Sequence, residues 1–238
     1  MNINGKKALV FGGTSGIGLA TVIRLAEGGA AVTAFGRSAV NIETARRAAP
    51  QSVRFERVDV LDRDALAGAF AANAPFDILV NAATGGERAV GPFLNMDLDG
   101  FQGSFRKLWG YTNTVRLGAE HMSADGALVL VSGFPARRPR PGYIAIGTVG
   151  GAVEAFVRGM AAELAPRRIN LVSPGLIDTP MFAVSGEARE AFFRDATANH
   201  HIPRAGTPDE VAEAILFVIG NDFVTGTTVD VDGGLLLA

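Results

Sequence analysis

Residues 8–18 read Ala-Leu-Val-Phe-Gly-Gly-Thr-Ser-Gly-Ile-Gly, and this stretch decides the fold. Its apolar start predicts a buried strand, and the glycines predict a turn into an apolar-periodic helix over 17–28. Gly12 permits a tight turn, Gly16 lets the backbone approach a pyrophosphate, and Gly18 lets the helix pack close to the strand. The pattern predicts a dinucleotide site, with an ordinary strand-to-helix turn as the alternative.

The rest of the chain repeats this alternation. Short apolar runs predict strands at 7–11, 31–35, 53–58, 77–81, 127–132, 168–173 and 228–231. Helical periodicity predicts helices at 17–28, 41–48, 63–72, 98–122, 146–165 and 208–219. The sequence Thr-Pro-Asp-Glu at 207–210 predicts a capped helix start. We therefore expect one α/β domain over 1–238, with a parallel sheet covered by helices on both faces.

Composition excludes several classes of protein. The 238 residues carry a net charge of −2, which argues against a surface for nucleic acid or for anionic membranes. The chain has no cysteine, so disulfides, thiolate catalysis and Cys-based zinc sites are excluded, and no metal site is expected. We find no signal-peptide pattern and no run of about 18 apolar residues, and we expect a cytoplasmic protein without a membrane span.

Four further segments make the chain resemble the short-chain dehydrogenase/reductase family. Residues 77–83 (Asp-Ile-Leu-Val-Asn-Ala-Ala) resemble its strand leading into Asn-Asn-Ala-Gly, and 170–179 resemble its Asn-x-Val-x-Pro-Gly-x-Ile-x-Thr segment. Residues 204–212 resemble its last helix start, and 224–234 its last strand. The resemblance implies a Rossmann-type, doubly wound sheet of seven parallel strands in three α/β/α layers, with a substrate lid at about 178–206.

The end of the second strand predicts which nicotinamide cofactor is bound. An acidic residue there usually binds the ribose 2′-hydroxyl of NAD, but this chain has Gly36-Arg37-Ser38. No carboxylate repels a 2′-phosphate, and Arg37 is placed to pair with one. The sequence predicts NADP(H), with a solvated loop arginine as the alternative.

The resemblance also implies other cofactor contacts. Asp59 and Val60 would flank the adenine, Asn81 would hold the ribose side, and Ile177 and Thr179 would meet the nicotinamide carboxamide. The remaining predicted contacts are Thr14, Ser15, Ile17, Ala82, Pro174 and Gly175.

The catalytic groups of the family are largely missing. The family uses an Asn, a Ser and a Tyr-x-x-x-Lys pair, in which the tyrosine transfers the proton and the lysine lowers its pKa. Alignment puts Ile146 at the tyrosine position and Gly150 at the lysine position. Ser132 falls at the serine position, and Lys107 occupies the position of the asparagine.

Lys107 is the substitution with the clearest chemical consequence. The family's asparagine lies close to its lysine, so an ammonium at Lys107 would fill the gap left at Gly150. Tyr111 lies one turn further along the same helix face, and Tyr143 lies three residues before the expected tyrosine. We take Lys107, Ser132, Tyr111 and Tyr143 as the catalytic candidates. An exposed helix lysine beside Arg106 is the alternative for Lys107.

Other polar residues carry weaker predictions, with surface or capping roles as the alternatives. They are the loop arginines Arg137, Arg138 and Arg140, which an acidic substrate would explain, the lid histidines His200 and His201, and the helix-end His121.

Two functions remain open from the sequence. The first is a reductase of a small carbonyl, imine or enone-type substrate with altered proton delivery. The second is a protein that keeps the nucleotide for sensing, regulation or a non-redox reaction. In both, helices 98–122 and 146–165 correspond to the family's dimer bundle, so a homodimer or homotetramer is expected.

Overall fold

The computed structural model describes residues 1–86 and 88–238. Seven strands form one parallel sheet in the order β3-β2-β1-β4-β5-β6-β7. The strands are β1 (Lys7–Phe11), β2 (Ala31–Gly36), β3 (Arg54–Arg57), β4 (Phe76–Asn81), β5 (Met122–Val131), β6 (Arg168–Pro174) and β7 (Thr228–Val231). This is the doubly wound, Rossmann-type sheet that the sequence predicted.

The part of the chain that the structure describes contains eight α-helices, most of which pack on the two faces of the sheet. They are α1 (Gly16–Glu27), α2 (Ala39–Ala48), α3 (Arg63–Asn73), α4 (Leu98–Ser104), α5 (Arg106–Gly118), α6 (Ile144–Glu163), α7 (Gly186–Thr197) and α8 (Pro208–Gly220). Alternate strand residues point to opposite faces. In β1, Leu9 and Phe11 pack with residues of α3, α5 and α6, whereas Ala8 and Val10 pack with residues of α1 and α8. The apolar runs therefore become strands buried on both sides.

The start of α8 confirms a local prediction. The hydroxyl of Thr207 accepts a hydrogen bond from the Glu210 amide at 3.2 Å, and the Glu210 carboxylate accepts one from the Thr207 amide at 2.7 Å. Pro208 takes the first helical position, where its missing N–H leaves nothing unsatisfied.

The prediction of one helix over 98–122 was wrong. The helix divides at Phe105 into α4 and α5, because the Phe105 amide bonds to the carbonyl of Gln102 only three residues back and tightens the last turn of α4. The strand that follows begins at Met122, earlier than predicted. The lid segment 178–206 contains α7, which the sequence did not predict as a helix.

Among the described residues, one helix is long and apolar enough to cross a membrane by length and composition. This helix is α6, and one side of it packs on the sheet through Val149, Val153 and Val157.

Candidate functional site

The candidate site lies at the carboxyl edge of the sheet, between β1 and β4. The chain leaves β1 towards the face that holds α1 and leaves β4 towards the face that holds α5. Such a switch in direction opens a crevice at the ends of the strands, and doubly wound folds bind ligands there.

The glycine turn has the geometry that close backbone packing requires. Gly12 has φ +73°, and a Cβ there would lie 2.6 Å from the amide nitrogen of Ala83. A Cβ on Gly18 would lie 2.0 Å from the carbonyl oxygen of Gly12. Side chains at these two positions would displace the turn and the start of α1.

The first turn of α1 is open to an anion. Ser15 is its N-cap, and no side chain of residues 1–86 or 88–238 caps the helix, whose first turn also carries no acidic residue. The free amides and the helix dipole make this end positive. A Cβ on Gly16 would lie 3.3 Å from Thr179 Cγ2, so the turn meets the start of the lid. The cradle fits a dinucleotide that crosses between them.

Arg37, the predicted contact of a 2′-phosphate, follows the end of β2 beside the glycine turn. A Cβ on Gly36 would lie 2.5 Å from Thr14 Oγ1, which holds the end of β2 close to the glycine turn. Arg37 is half exposed, and its Nη1 lies 3.6 Å from a carboxylate oxygen of Asp59. Arg57 donates from Nε to the Arg37 carbonyl at 2.9 Å. The sequence analysis missed Arg57, although its place at the end of the strand paired with β2 was the available signal.

The side chain of Asn81, for which the resemblance implies a ribose contact, points into the protein. It is fully buried, and its amide donates to Thr114 Oγ1 at 2.9 Å while its side-chain oxygen accepts from Ala83 at 2.9 Å. Val60 is also buried, close to Gly110 of α5, and Ile177 packs into the core. These side chains support the loops around the crevice.

Lys107 directs its side chain towards the end of β5. Its Nζ makes a long 3.4 Å hydrogen bond to the Ser132 carbonyl and lies 5.6 Å from the ring centroid of Tyr111. Burial, and after it the positive charge of Arg88, lowers the pKa of Lys107 to about 7. The side chain of Lys107 therefore points into the crevice and is not the exposed helix lysine of the alternative interpretation.

Ser132 provides a second polar group beside this ammonium. Its amide bonds to the Val172 carbonyl at 2.9 Å, which fixes the turn that leaves β5. Its hydroxyl oxygen is buried and has no hydrogen-bond partner among the described residues. A buried hydroxyl without a partner is costly, so this oxygen is available to a ligand.

The two tyrosines occupy different surroundings. Tyr111 is fully buried, and its hydroxyl donates to the Val131 carbonyl at 2.5 Å. Burial raises the pKa of this phenol far above its ordinary value, so it stays neutral and braces β5 rather than offering a proton to the crevice. Tyr143 is partly exposed at the start of α6, with its ring 6.5 Å from that of Phe134.

The position that the family gives to its lysine has no room for a side chain. A Cβ on Gly150 would lie 2.7 Å from Ala136 Cβ and 3.2 Å from Ser132 Oγ. Ala136 therefore fills the volume beside Gly150, and Lys107 approaches Ser132 from α5 instead.

Gly150→Ala is expected to lower the free energy of unfolding by about 1–3 kcal/mol, because the new methyl group overlaps Ala136. Chemical denaturation measures this, with Gly68→Ala in α3 as the control. No atom lies within 4 Å of a Cβ on Gly68, so that change is expected to raise stability by up to about 1 kcal/mol. The double change Gly150→Ala with Ala136→Gly should recover the loss. If Gly150→Ala and Gly68→Ala had the same free energy of unfolding, there would be room for a side chain at position 150.

The loop arginines mostly bind the protein itself. Arg137 pairs with Asp230 and, at 3.8 Å, with Glu154, and Arg138 donates to the Leu235 carbonyl. These contacts fix the loop after β5 to the C-terminal segment. Arg137 and Arg138 therefore fit neither of the two alternatives from the sequence, a solvated loop or a site for an acidic substrate. Arg140 stacks on Phe134, with 5.5 Å between its guanidinium and the ring centroid.

The histidines lie away from Lys107. His200 is buried at the end of α7, His201 lies against Gly234, and His121 ends a short 3-10 helix before β5. No described contact joins any of them to Lys107 or Ser132, in keeping with the alternative roles outside catalysis.

The lid is held in place by Arg189 of α7. Its guanidinium pairs with Asp178 and donates to the carbonyls of Thr179 and Phe182, each at 2.9 Å. These bonds fold the start of the lid into one compact turn. They fix Thr179, the predicted nicotinamide contact, beside the glycine turn.

Arg88 was also missed by the sequence analysis. It lies in the loop after β4, and its Nη1 is 2.8 Å from the sulfur of Met181 in the lid. The only signal was its place in a loop at the carboxyl edge of the sheet, where functional side chains collect.

Comparison with known proteins gives matches along almost the whole chain. A family model described as Enoyl-(Acyl carrier protein) reductase matches residues 12–236. L-xylulose reductase of Bos taurus is 31% identical over 247 residues, which cover 99% of this chain and 98% of that protein. A small-chain dehydrogenase solved in complex with NADPH has a TM-score of 0.81 at 25% identity and covers 99% of this chain and 100% of its own. MalC Reductase/Diels-Alderase from Malbranchea aurantiaca has a TM-score of 0.89 at 26% identity, with coverages of 99% and 97%.

Proposed function

The chain belongs to the short-chain dehydrogenase/reductase family, and we propose that it is an NADP(H)-dependent reductase of a small carbonyl, imine or enone-type substrate. In this proposal Lys107 delivers the proton that the family's tyrosine otherwise supplies. Family membership and the oxidoreductase relatives support the reaction class, and the remaining steps rest on the residues of this chain.

The buried ammonium of Lys107 is the observation that carries the proposal. When bound, NADPH supplies a hydride to the electrophilic carbon of the substrate. The ammonium donates a proton to the oxygen, nitrogen or carbon that gains negative charge, and the resulting amine takes a proton from water. Its pKa of about 7 suits a general acid near neutral pH. The Ser132 hydroxyl, which has no partner in the described chain, orients the same substrate atom.

Two arginines support the choice of NADP(H) over NAD(H). Arg37 and Arg57 meet at the ends of neighbouring strands, and the guanidinium groups of both are partly exposed. A guanidinium matches the geometry of a phosphate and binds it with charge-assisted hydrogen bonds. The solved relative that contains NADPH is in keeping with this choice.

An assay with pure protein tests the proposed function. The protein is mixed with NADPH and a panel of ketones, imines and enones, and the loss of nicotinamide absorbance is followed. Turnover of at least one class is expected. Tight binding of NADPH without turnover anywhere in the panel would favour the second function, a non-redox role for the bound nucleotide. Two observations favour that second function. The Tyr and Lys pair is absent, and the chain is similar to MalC, which is named both a reductase and a Diels-Alderase.

We also propose that the protein is a homodimer or homotetramer. Trp109 of α5 is 55% exposed, and no atom lies within 4 Å of a Cβ on Gly151 or Gly159 of α6. The exposed Trp109 and the open space beside these glycines leave room for close packing of both helices against a second copy. Light scattering at micromolar concentration is expected to give two or four times the 24.8 kDa of one chain. A stable monomer would contradict this.

A further inference from the structure

The crevice around Lys107 contains more hydrogen-bond donors than acceptors. The three N–H bonds of the ammonium have one described acceptor, the distant Ser132 carbonyl. The Ser132 hydroxyl has no described partner. A ligand with several oxygen acceptors would satisfy both groups.

Arg88 adds a second cation to the same crevice. On both sides of Arg88 its loop contacts the junction between α4 and α5. A Cβ on Gly85 would lie 2.5 Å from the Lys107 amide nitrogen, and the Ala89 amide donates to Ser104 Oγ at 2.9 Å. These contacts hold the backbone on both sides of Arg88 against the α4–α5 region, and the positive charge of Arg88 contributes to the lowered pKa of Lys107.

The partner that Arg88 has in the structure is a weak one. Its Nη1 points at the thioether sulfur of Met181, which accepts hydrogen bonds poorly. Within residues 1–86 and 88–238, neither Arg88 nor Lys107 forms an ion pair with a carboxylate, although most other arginines near the lid and the C-terminal segment do. Two neighbouring positive charges that no carboxylate of residues 1–86 or 88–238 pairs with repel each other, and a bound anion would offset this repulsion.

We propose that the substrate of this site carries a carboxylate, which the planar guanidinium of Arg88 binds while Lys107 faces the reacting atom. This inference rests on the proposed reductase function and names its substrate class, an oxo acid or an unsaturated acid. Arginine suits the first role because its fork of N–H groups matches the two oxygens of a carboxylate. Because Met181 belongs to the lid, an acid bound to Arg88 would take the place of a lid contact.

Binding of acids and their esters to the NADP⁺ complex tests this inference. Calorimetry compares 2-oxobutanoate, acetoacetate and levulinate with their methyl esters, which keep the carbonyl and lose the charge. At least one acid is expected to bind about ten times more tightly than its ester, since a hydrogen bond to a charged group typically gives that factor or more.

Three variants distinguish a bound carboxylate from a general charge effect. Arg88→Gln is expected to remove the preference for the acid, and Arg88→Lys to keep part of it. Arg46→Gln, at an exposed position of the last turn of α2, changes the net charge equally and should keep all of it. Arg88 is exposed in a loop, so unchanged thermal unfolding is expected for its variants.

The outcomes separate this inference from the proposed function. Equal affinity for acid and ester, no detectable binding of any acid, or a preference that survives Arg88→Gln would overturn the carboxylate site. Turnover of neutral ketones without preference for acids would overturn the carboxylate site but leave the proposed reductase function intact. Failure of NADP⁺ to bind would overturn both.

Discussion

Replacing Lys107 with methionine is expected to lower the rate of reduction by about 10²–10⁴-fold, the usual contribution of a general acid. Methionine keeps much of the side-chain volume but has no proton to donate. Binding of NADP(H) should weaken much less than turnover, because the contacts of the cofactor with the glycine turn and with Arg37 remain. Steady-state kinetics on a substrate found in the panel, with calorimetry for the cofactor, measures both effects.

The pH dependence identifies the group that is responsible. Reduction needs the protonated ammonium, so the rate should be constant at low pH and fall as pH rises through about 7, the pKa of Lys107. In the methionine variant this fall should disappear from the residual rate. Lys7→Met is the matched control, because Lys7 Nζ bonds to the Asn73 carbonyl at the opposite edge of the sheet. An unchanged rate in Lys107→Met would refute proton delivery by this lysine.

Stability should change with pH for the same reason. Between about pH 7 and the ordinary lysine pKa of 10.5, the unfolded chain holds a proton that the folded Lys107 has lost. The free energy of unfolding of the parent protein therefore rises with pH across this window, and below it the buried charge weakens the fold. Lys107→Met should lack this rise and be at least as stable as the parent at pH 7, which denaturant titrations at several pH values would measure.

Arg37→Asp is expected to reverse the preference for the cofactor. Loss of a charge-assisted contact costs about 1.5–3 kcal/mol, or roughly tenfold to a hundredfold in affinity, and the new carboxylate adds repulsion towards the 2′-phosphate. The affinity for NADPH should therefore fall about a hundredfold or more, whereas NADH should bind as well as before or better, since an acidic side chain accepts from the 2′-hydroxyl.

Calorimetric titration of both cofactors into parent and variant measures this reversal. Arg47→Asp is the control, because Arg47 is exposed on α2 and pairs only with Glu43 of its own helix in the described chain. Arg37 is half exposed in a loop, so the fold should tolerate its replacement. If the parent bound NADPH and NADH equally, the assignment of NADP(H) would fail whatever the variant does.

The fold could be predicted from the sequence because its strands and its glycine turn follow from local patterns of apolar residues and glycines. The break at Phe105 was missed because apolar periodicity continues across it, while the loop after β4 packs against the helix there. Asn81 was given a site role because it lies on a motif segment, and Tyr111 because it lies one turn from Lys107 on the same helix face. Thr114 bonds to Asn81 and Val131 bonds to Tyr111 from 20 or more positions away, and both side chains are fully buried, which no local pattern could show.

The arginines around the crevice could not be predicted from local sequence patterns either. Arg57 becomes a neighbour of Arg37 only through the register between β2 and β3. Arg88 approaches Lys107 only because its loop folds back over α5. Lys107 itself was found from the sequence because it occupies an aligned position on a helix. Residues that reach a site through loops have no such fixed spacing.

The contact between Gly150 and Ala136 also bears on how this catalytic site can change over generations. Regaining a lysine at 150 would first require a smaller residue at 136, and each change alone gives no catalytic advantage. The path back to the common arrangement is therefore blocked at its first step, as happens whenever one substitution removes the space that a lost side chain needed. Under the proposed role of Lys107, variation that alters activity is expected to collect on α5 and on the loop that carries Arg88.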